Sequence, residues 1–233
     1  MLRLKPILII TFLLFLSQRA VDACFCGSHY TGINNYSTTA LTIPADTLPR
    51  GKFALGYALN YQDYDSFSFN YFRGILNKKA HSHSIDALLT QSVNLSYGLT
   101  DDLSLIANFP FQSYFGLDST AGGFRTNDGN SIGIGDFSFF AKYKFLKKEK
   151  LSAAFIAGIK VPTGNTNQKN EFGFLLSPDL QPGSGSWDPI LGLSVSKKFD
   201  HLVLHSNILY KLSTGGKQDT TIGDSVNFNL GLS

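Results

Sequence analysis

Few residues of this 233-residue chain have the types and spacing that catalysis or metal binding requires. His81 and His83 alternate in a His-Ser-His segment and could chelate a metal together, but two lysines precede them, and a solvated loop is the better interpretation. His205 alternates with Asn207 and is expected to point inward from a strand, without a Ser-His-Asp motif around it. We therefore expect no enzymatic activity, no bound metal and no cofactor, with a hydrolase built on His205 as the alternative.

Two further segments could bind ligands. The Pro-Gly-Ser-Gly-Ser run at residues 182–186 leads into a strand rather than a helix, which argues against a phosphate cradle. Cys24 and Cys26 are the only cysteines, so no disulfide can bridge distant parts of the fold. Their spacing would allow a soft metal, a bond to another chain or a lipid on Cys24, but we interpret them as thiols of an N-terminal tail.

The N-terminus has the layout of a secretory signal. Arg3 and Lys5 precede an apolar run at residues 7–16, and Val-Asp-Ala at 21–23 forms a small-residue cleavage site. Ten apolar residues are too few for a membrane helix, which needs about 20. We predict a signal peptide at 1–23, a periplasmic tail at 24–51 and a barrel domain at 52–233. Removing the signal leaves 17 basic and 16 acidic residues, which gives no basis for a nucleic-acid partner.

Composition indicates a surface that is not built only for water. Charged residues make up 16% of the chain, against about 25% in typical soluble domains. Apolar residues alternate with small or polar ones in eight segments of the chain, most of them 8–11 residues long. These segments are 53–62, 92–99, 103–112, 137–145, 151–161, 191–195, 202–212 and 226–232. Period-two alternation predicts β-strands, and transmembrane strands need about 9–11 residues.

The connections between these segments alternate in length. Short turns at 100–102, 147–150 and 200–201 alternate with polar links at 65–86, 113–131, 165–186 and 213–223. Outer-membrane barrels have short periplasmic turns and long outer loops. We predict an all-β, antiparallel up-and-down transmembrane β-barrel with at least eight strands. The last residue, Ser233, is not the aromatic residue that usually ends such barrels, so we expect either an incomplete barrel of about twelve strands or an atypical end.

The inward positions are mostly small and polar, and several are lysines. Lys142, Lys160 and Lys211 are expected to face the lumen with Asp188 as their only carboxylate, and Lys144 and Lys198 follow the same alternation. Buried lysines without partners are costly, which favours a wide, wet lumen. Rings of basic residues favour anions in pores, so we expect weak anion selectivity. The alternative is that several of these lysines extend to water from strand ends.

Several stretches resemble one family of outer-membrane barrels. They are GIGDFSFFAKYKF (133–145), GIKVPTGN (158–165), PGSGSWDPILGLSVSKKF (182–199), LYKL (209–212) and GDSVNFNLGLS (223–233). Together they resemble the family described as "putative MetA-pathway of phenol degradation". The resemblance implies a passive outer-membrane channel for small, aromatic or hydrophobic molecules.

The partners expected for such a protein are outer-membrane lipid, a small-molecule solute and the barrel-assembly machinery. The competing hypothesis from a different functional class is a non-conducting structural or adhesive barrel whose long outer loops bind a partner.

Overall fold

The computed structural model of the protein describes residues 43–64, 82–121 and 124–233. Within them the chain forms ten β-strands: β1 (Phe53–Asp63), β2 (Ser82–Ser84), β3 (Ala87–Gly98), β4 (Leu103–Ala121), β5 (Phe124–Ile134), β6 (Phe137–Lys148), β7 (Leu151–Val161), β8 (Asp188–Lys198), β9 (Val203–Lys211) and β10 (Ser225–Leu232). The helices in these ranges are two single 3-10 turns, Pro178–Leu180 and Lys217–Asp219. No helix in the described part of the chain is long and apolar enough to cross a membrane.

The ten strands form one antiparallel sheet. Eight of them follow each other in the order β1-β3-β4-β6-β7-β8-β9-β10, and β2 and β5 pair with β4 beside this path. The sheet curls into a half-barrel. Its edge strands β1 and β10 do not pair with each other in the described ranges. The prediction of an all-β, antiparallel, incomplete barrel with at least eight strands is confirmed.

The two faces of the sheet differ in polarity because consecutive side chains of a strand point to opposite sides. In β8, Ile190 and Ser194 point to the inner, concave face and are buried. Leu191 and Leu193 point to the outer face and are 52% and 48% exposed. The same pattern holds around the sheet, where the exposed outward residues include Leu55, Tyr57, Leu59, Phe139, Phe155, Ile208, Phe228 and Leu230. The outer face is therefore apolar and uncovered.

The inner face carries buried polar residues and two apolar clusters. Phe140, Ile156, Ile190 and Leu209 form one cluster, which we call the central patch. The second cluster joins Leu88, Tyr114 and Leu117 of the sheet to Leu176 and Leu180 of the loop between β7 and β8.

The hairpin of β4 and β5 shows that part of the loop prediction is wrong. Residues 113–131 are expected to be an outer loop, yet β4 continues to Ala121 and β5 returns from Phe124. Two register shifts flank Leu117, so the alternation that marks the other strands is broken here. The predicted link at 65–86 likewise contains β2 at its end, and residues 65–81 lie outside the described residues.

Candidate functional site

A row of buried polar side chains crosses the inner face of the half-barrel. Directly opposed residues of neighbouring strands point to the same face. The register pairs Asn94 with Asn108, Asn108 with Ser138, Ser138 with Lys160 and Lys160 with Asp188. All five are buried, and the side-chain Nδ2 of Asn108 donates a 2.7 Å hydrogen bond to the Asn94 Oδ1. The sheet thus has a continuous polar belt on the side away from its apolar face.

The belt ends in a cluster of four charged groups. The Lys160 Nζ lies 2.6 Å from the Asp188 Oδ2 and 3.2 Å from the Asp136 Oδ2, and the Lys211 Nζ lies 4.0 Å from the Asp188 Oδ2. All four side chains are at least nine-tenths buried. Buried charges are stable only when they are paired and hydrogen-bonded. The two ammonium groups and two carboxylates of this cluster pair with one another, so they do not require water in a lumen for their stability.

The same cluster fixes the loop at residues 165–186, which we call the latched loop. The Ser184 amide and hydroxyl donate to the Asp136 Oδ2 at 2.8 and 2.6 Å, and the Gly164 amide donates to the Asp136 Oδ1 at 2.9 Å. Lys160 donates to the hydroxyls of Ser184 and Ser186. Gly164 and Gly183 pass so closely that a Cβ on either would lie 2.5 Å from the other's backbone. The loop is therefore held against the inner face by buried charged groups.

Apolar and amide contacts hold the rest of the latched loop. Leu176 and Leu180 pack into the second apolar cluster. The buried Gln181 side chain donates to the carbonyl oxygens of Gln168 and Leu176 and accepts from the Gln168 amide. The latched loop consequently covers the inner face on the side of the sheet where the long connections lie.

A different segment covers the inner face nearer the short turns. Residues 43–49, which we call the strap, run across the sheet from β9 to β3 before the chain turns into β1. The Ile43 amide donates to the Asn207 Oδ1 at 2.9 Å, and the Ser194 hydroxyl donates to the Ile43 carbonyl at 2.5 Å. At the other end, the Leu48 amide donates to the Ser104 Oγ at 2.9 Å. The strap lies inside the half-barrel although its sequence falls in the predicted periplasmic tail.

Lys142 is the charged residue that contacts the strap most closely. Its Nζ donates to the carbonyl oxygens of Pro44 at 2.9 Å and Asp46 at 2.5 Å. The strap comes so near the sheet that a Cβ on Gly98 would lie 2.1 Å from the Pro49 carbonyl oxygen. Lys142 is thus buried under main-chain oxygens, whereas Lys160 is buried beside carboxylates.

His205, a candidate from the sequence, lies on the inner face near the short turns. Its Nδ1 is 2.8 Å from the Ser196 Oγ and its Nε2 is 3.0 Å from the Ser233 Oγ. Ser196 also accepts a hydrogen bond from the Ala45 amide at 2.9 Å. In these contacts the imidazole meets two hydroxyls and no orienting carboxylate, so they do not form the catalytic triad geometry.

The other candidates are placed as follows. Lys142, Lys160, Lys211 and Asp188 all lie buried on the inner face, whereas Lys198 is exposed. His83 lies in β2 next to β4, and His81, Cys24 and Cys26 lie outside the described residues. Among the residues that are described, no group of three or more His, Cys, Asp or Glu could hold a metal ion.

The expectation that Asp188 alone faces the inward lysines is wrong. Asp136 supplies a second carboxylate, and Ser184 and Ser186 supply hydroxyls, from positions between strands where alternation gives no direction. The signal that could have found them was charge balance, because buried lysines require partners. The wide, wet lumen inferred from that shortage is therefore not required by Lys160 and Lys211.

Comparison with known protein families gives a match over much of the chain. A sequence model of the family described as "Putative MetA-pathway of phenol degradation" matches residues 80–233. The chain belongs to this family. No curated protein matches the chain. The family match covers the polar belt, the charged cluster and the latched loop, whereas the strap and β1 precede the matched residues.

Proposed function

We propose that the protein is an outer-membrane channel or passive transporter for small, aromatic or hydrophobic molecules. One observation carries the membrane part of this proposal: the sheet has its apolar face outside and its polar face inside. Leu193 and Phe228 are 48% and 67% exposed on the outer face, while Asn108 and Lys160 are buried on the inner face. Each exposed apolar side chain costs free energy in water and gains it in lipid. A membrane is the environment that suits this arrangement.

The connections support an orientation. The β3–β4, β6–β7 and β8–β9 turns lie at one rim of the sheet, and the latched loop and the β4–β5 hairpin lie at the other. In outer-membrane barrels the short turns face the periplasm and the long connections face outward. We therefore place the latched loop outside the cell and the strap nearer the periplasm.

The family description supports the solute class, since phenol degradation concerns small aromatic compounds. Such compounds have an apolar ring and a polar group, and the inner face has a surface for each, because the apolar central patch adjoins the polar belt. Pockets for small molecules commonly combine apolar walls with a few polar groups. We infer transport and not catalysis, because the contacts of His205 supply no acid–base pair.

The second candidate is a non-conducting barrel whose outer loops bind a partner. Two observations favour it: the strap and the latched loop fill much of the inner face, and the latched loop presents two exposed aromatic rings. Asn170 holds the turn that carries Phe172 and Phe174, accepting hydrogen bonds from both of their amides at 3.1 and 2.9 Å. An exposed aromatic turn that is held by hydrogen bonds is suited to contact with another molecule.

Release of an entrapped solute decides between the two. The full chain is reconstituted into vesicles loaded with benzoate at pH 8, where the charged solute crosses lipid slowly. A channel releases benzoate in proportion to the amount of inserted protein, and it retains a solute too large for the channel, such as dextran. No release from vesicles whose protein shows the boiling-dependent gel mobility of a folded barrel contradicts the channel and favours the loop-binding alternative.

A further inference from the structure

The strap is attached to the sheet in a different way from the latched loop. Most of the contacts described above join sheet side chains to strap main-chain atoms: Asn207 and Ser194 bind Ile43, Ser196 binds Ala45, and Lys142 binds the two carbonyls. The ion pair between Lys144 and Asp46 of the strap is 4.0 Å long, and its carboxylate is exposed. Of the strap residues, only Ala45 is fully buried. Water can replace each of these hydrogen bonds when the strap leaves, including the two that the Lys142 ammonium donates to neutral carbonyls, so each contributes only modestly to holding the strap. The strap can therefore be displaced far more easily than the latched loop, which is held by paired buried charges.

The surface beneath the strap combines two recognition elements. Lys142 is directly opposed to Ile156 in the register of β6 and β7, and Phe140 precedes Lys142 by two residues on the same face. Ile156 and Phe140 belong to the central patch, against which the Ile43 side chain packs. A primary ammonium thus adjoins an apolar surface made of aromatic and aliphatic groups.

The strap contacts both the Lys142 ammonium and the central patch, as a small ligand would. Its Ile43 side chain covers the central patch, and the Pro44 and Asp46 carbonyl oxygens accept from Lys142. In its bonds to the two strap carbonyls Lys142 is the only charged partner, whereas an ionised oxygen adds the attraction between two opposite charges, which is strong where water is excluded. A molecule with an apolar body and an ionised oxygen would satisfy Lys142 better than the strap does.

We propose that the strap occupies a binding site for a small molecule that has an apolar ring and an oxyanion, and that this molecule displaces the strap when it binds. The site consists of Lys142 and the central patch, with Ser194 and Asn207 freed to bind water or solute. This inference rests on the proposed function, since it names the solute class of the same inner face. It also gives the strap a role as an internal competitor on the periplasmic side.

Calorimetric titration of the full chain in a nonionic detergent tests the site. Benzoate is compared with benzyl alcohol, which has a similar ring but no charge, at pH 8 and after subtraction of binding to empty micelles. Benzoate should bind at least about tenfold more tightly, which corresponds to one charge-assisted hydrogen bond. Equal affinities for the two molecules would overturn the proposal.

Variants separate the strap from the site. Ile43→Ser removes the strap's apolar contact and should tighten benzoate binding by about tenfold, because less free energy opposes displacement. Lys142→Met should abolish the preference for benzoate over benzyl alcohol, and Lys142→Arg should keep it. Lys148→Gln, at the exposed end of the same strand and without an ion pair to the strap among the described residues, is the matched control and should leave both affinities within about threefold.

Two outcomes contradict the proposal even if the Lys142→Met variant does not fold. They are an Ile43→Ser protein that binds benzoate no more tightly than the original chain, and an absence of benzoate binding in both proteins. Binding and vesicle release fail independently: benzoate binding without release contradicts the channel alone, and release without this binding preference contradicts the site alone.

Discussion

Lys160 on β7 and Asp188 on β8 are directly opposed in the antiparallel register, and the Lys160 Nζ lies 2.6 Å from the Asp188 Oδ2. The same ammonium lies 3.2 Å from Asp136, which follows β5. One lysine therefore joins two strands and the start of a third to the latched loop. This arrangement balances the charges on the inner face near the long connections. Lys142 is the cation nearest the strap.

The buried pair should matter for stability. Lys160→Met leaves Asp188 and Asp136 buried with less compensation, and breaking a buried ion pair in this way costs about 3–5 kcal/mol. Lys150→Met is the matched control, since its pair with Asp200 is exposed and such pairs contribute about 0–1 kcal/mol. Unfolding of both variants in detergent, followed by loss of boiling-dependent gel mobility, measures the difference. Equal stability of the two variants would contradict the role of the cluster.

The outer face should reject charge. Phe155 points outward near the centre of β7, opposite Leu193 of β8, and is 42% exposed. Phe155→Arg should cost about 2–4 kcal/mol if the position meets hydrocarbon near the bilayer midplane. Phe172→Arg, on the exposed turn of the latched loop, should cost close to nothing. The measurement is the unfolding free energy in lipid vesicles, and similar costs at both positions would place the lipid elsewhere.

A carboxylate in the loop between β9 and β10 should make the stability of the folded protein fall at acidic pH. Asp224 accepts hydrogen bonds from the Tyr210 hydroxyl at 2.5 Å and from the Ser213 amide at 2.9 Å, and the Tyr210 bond is the main reason that its pKa is lowered. A lowered pKa in the folded state means that this stabilisation is complete above the unfolded value of about 3.9 and is lost as the pH falls through the folded value.

The Asp224→Asn variant isolates this contribution. The difference in thermal stability between the original chain and this variant should be constant above about pH 5 and should shrink on further acidification. Melting in detergent from pH 3 to pH 7 gives the comparison. A difference that grows as the pH falls would have the opposite sign and would exclude a lowered pKa.

The two rims should be distinguishable on intact cells. A single cysteine replacing Phe172 should react with a membrane-impermeant maleimide, because the latched loop faces outward in the proposed orientation. A cysteine replacing Glu149 in the β6–β7 turn should react only after the cells are lysed. Both variants carry serine at positions 24 and 26 so that no other thiol reports. Labelling with the reverse pattern would invert the barrel.

The strands could be predicted because membrane and interior impose opposite polarity on alternate residues. Leu191, Leu193 and Val195 point outward, and Ile190, Gly192 and Ser194 point inward. Large apolar residues therefore alternate with smaller or polar ones over most of this strand, and the alternation reveals the two faces. The β4–β5 hairpin escaped prediction because register shifts around Leu117 interrupt the alternation while the backbone ladder continues. Strand pairing there depends on main-chain hydrogen bonds, which leave little trace in sequence.

The site was predictable only in part for a related reason. Alternation along β6, β7 and β9 predicts that Lys142, Lys160 and Lys211 point inward, and the structure buries all three, but Asp136 lies between strands and has no assigned face. The strap was missed because its main-chain atoms make its contacts with Ser194, Asn207 and Lys142. Such contacts do not require particular side chains, so the strap's sequence carries no corresponding pattern.

Contact between the outer face of the half-barrel and lipid can be measured with the chain's single tryptophan. Trp187 immediately precedes β8 at the rim and is 56% exposed. In vesicles of brominated lipids, its fluorescence should be quenched most by bromine near the headgroups. With Trp187 replaced by Phe, a tryptophan at Leu193 should be quenched most by bromine deep in the acyl chains. Absence of quenching at both positions, or the reversed depth order, would contradict lipid contact of the outer face.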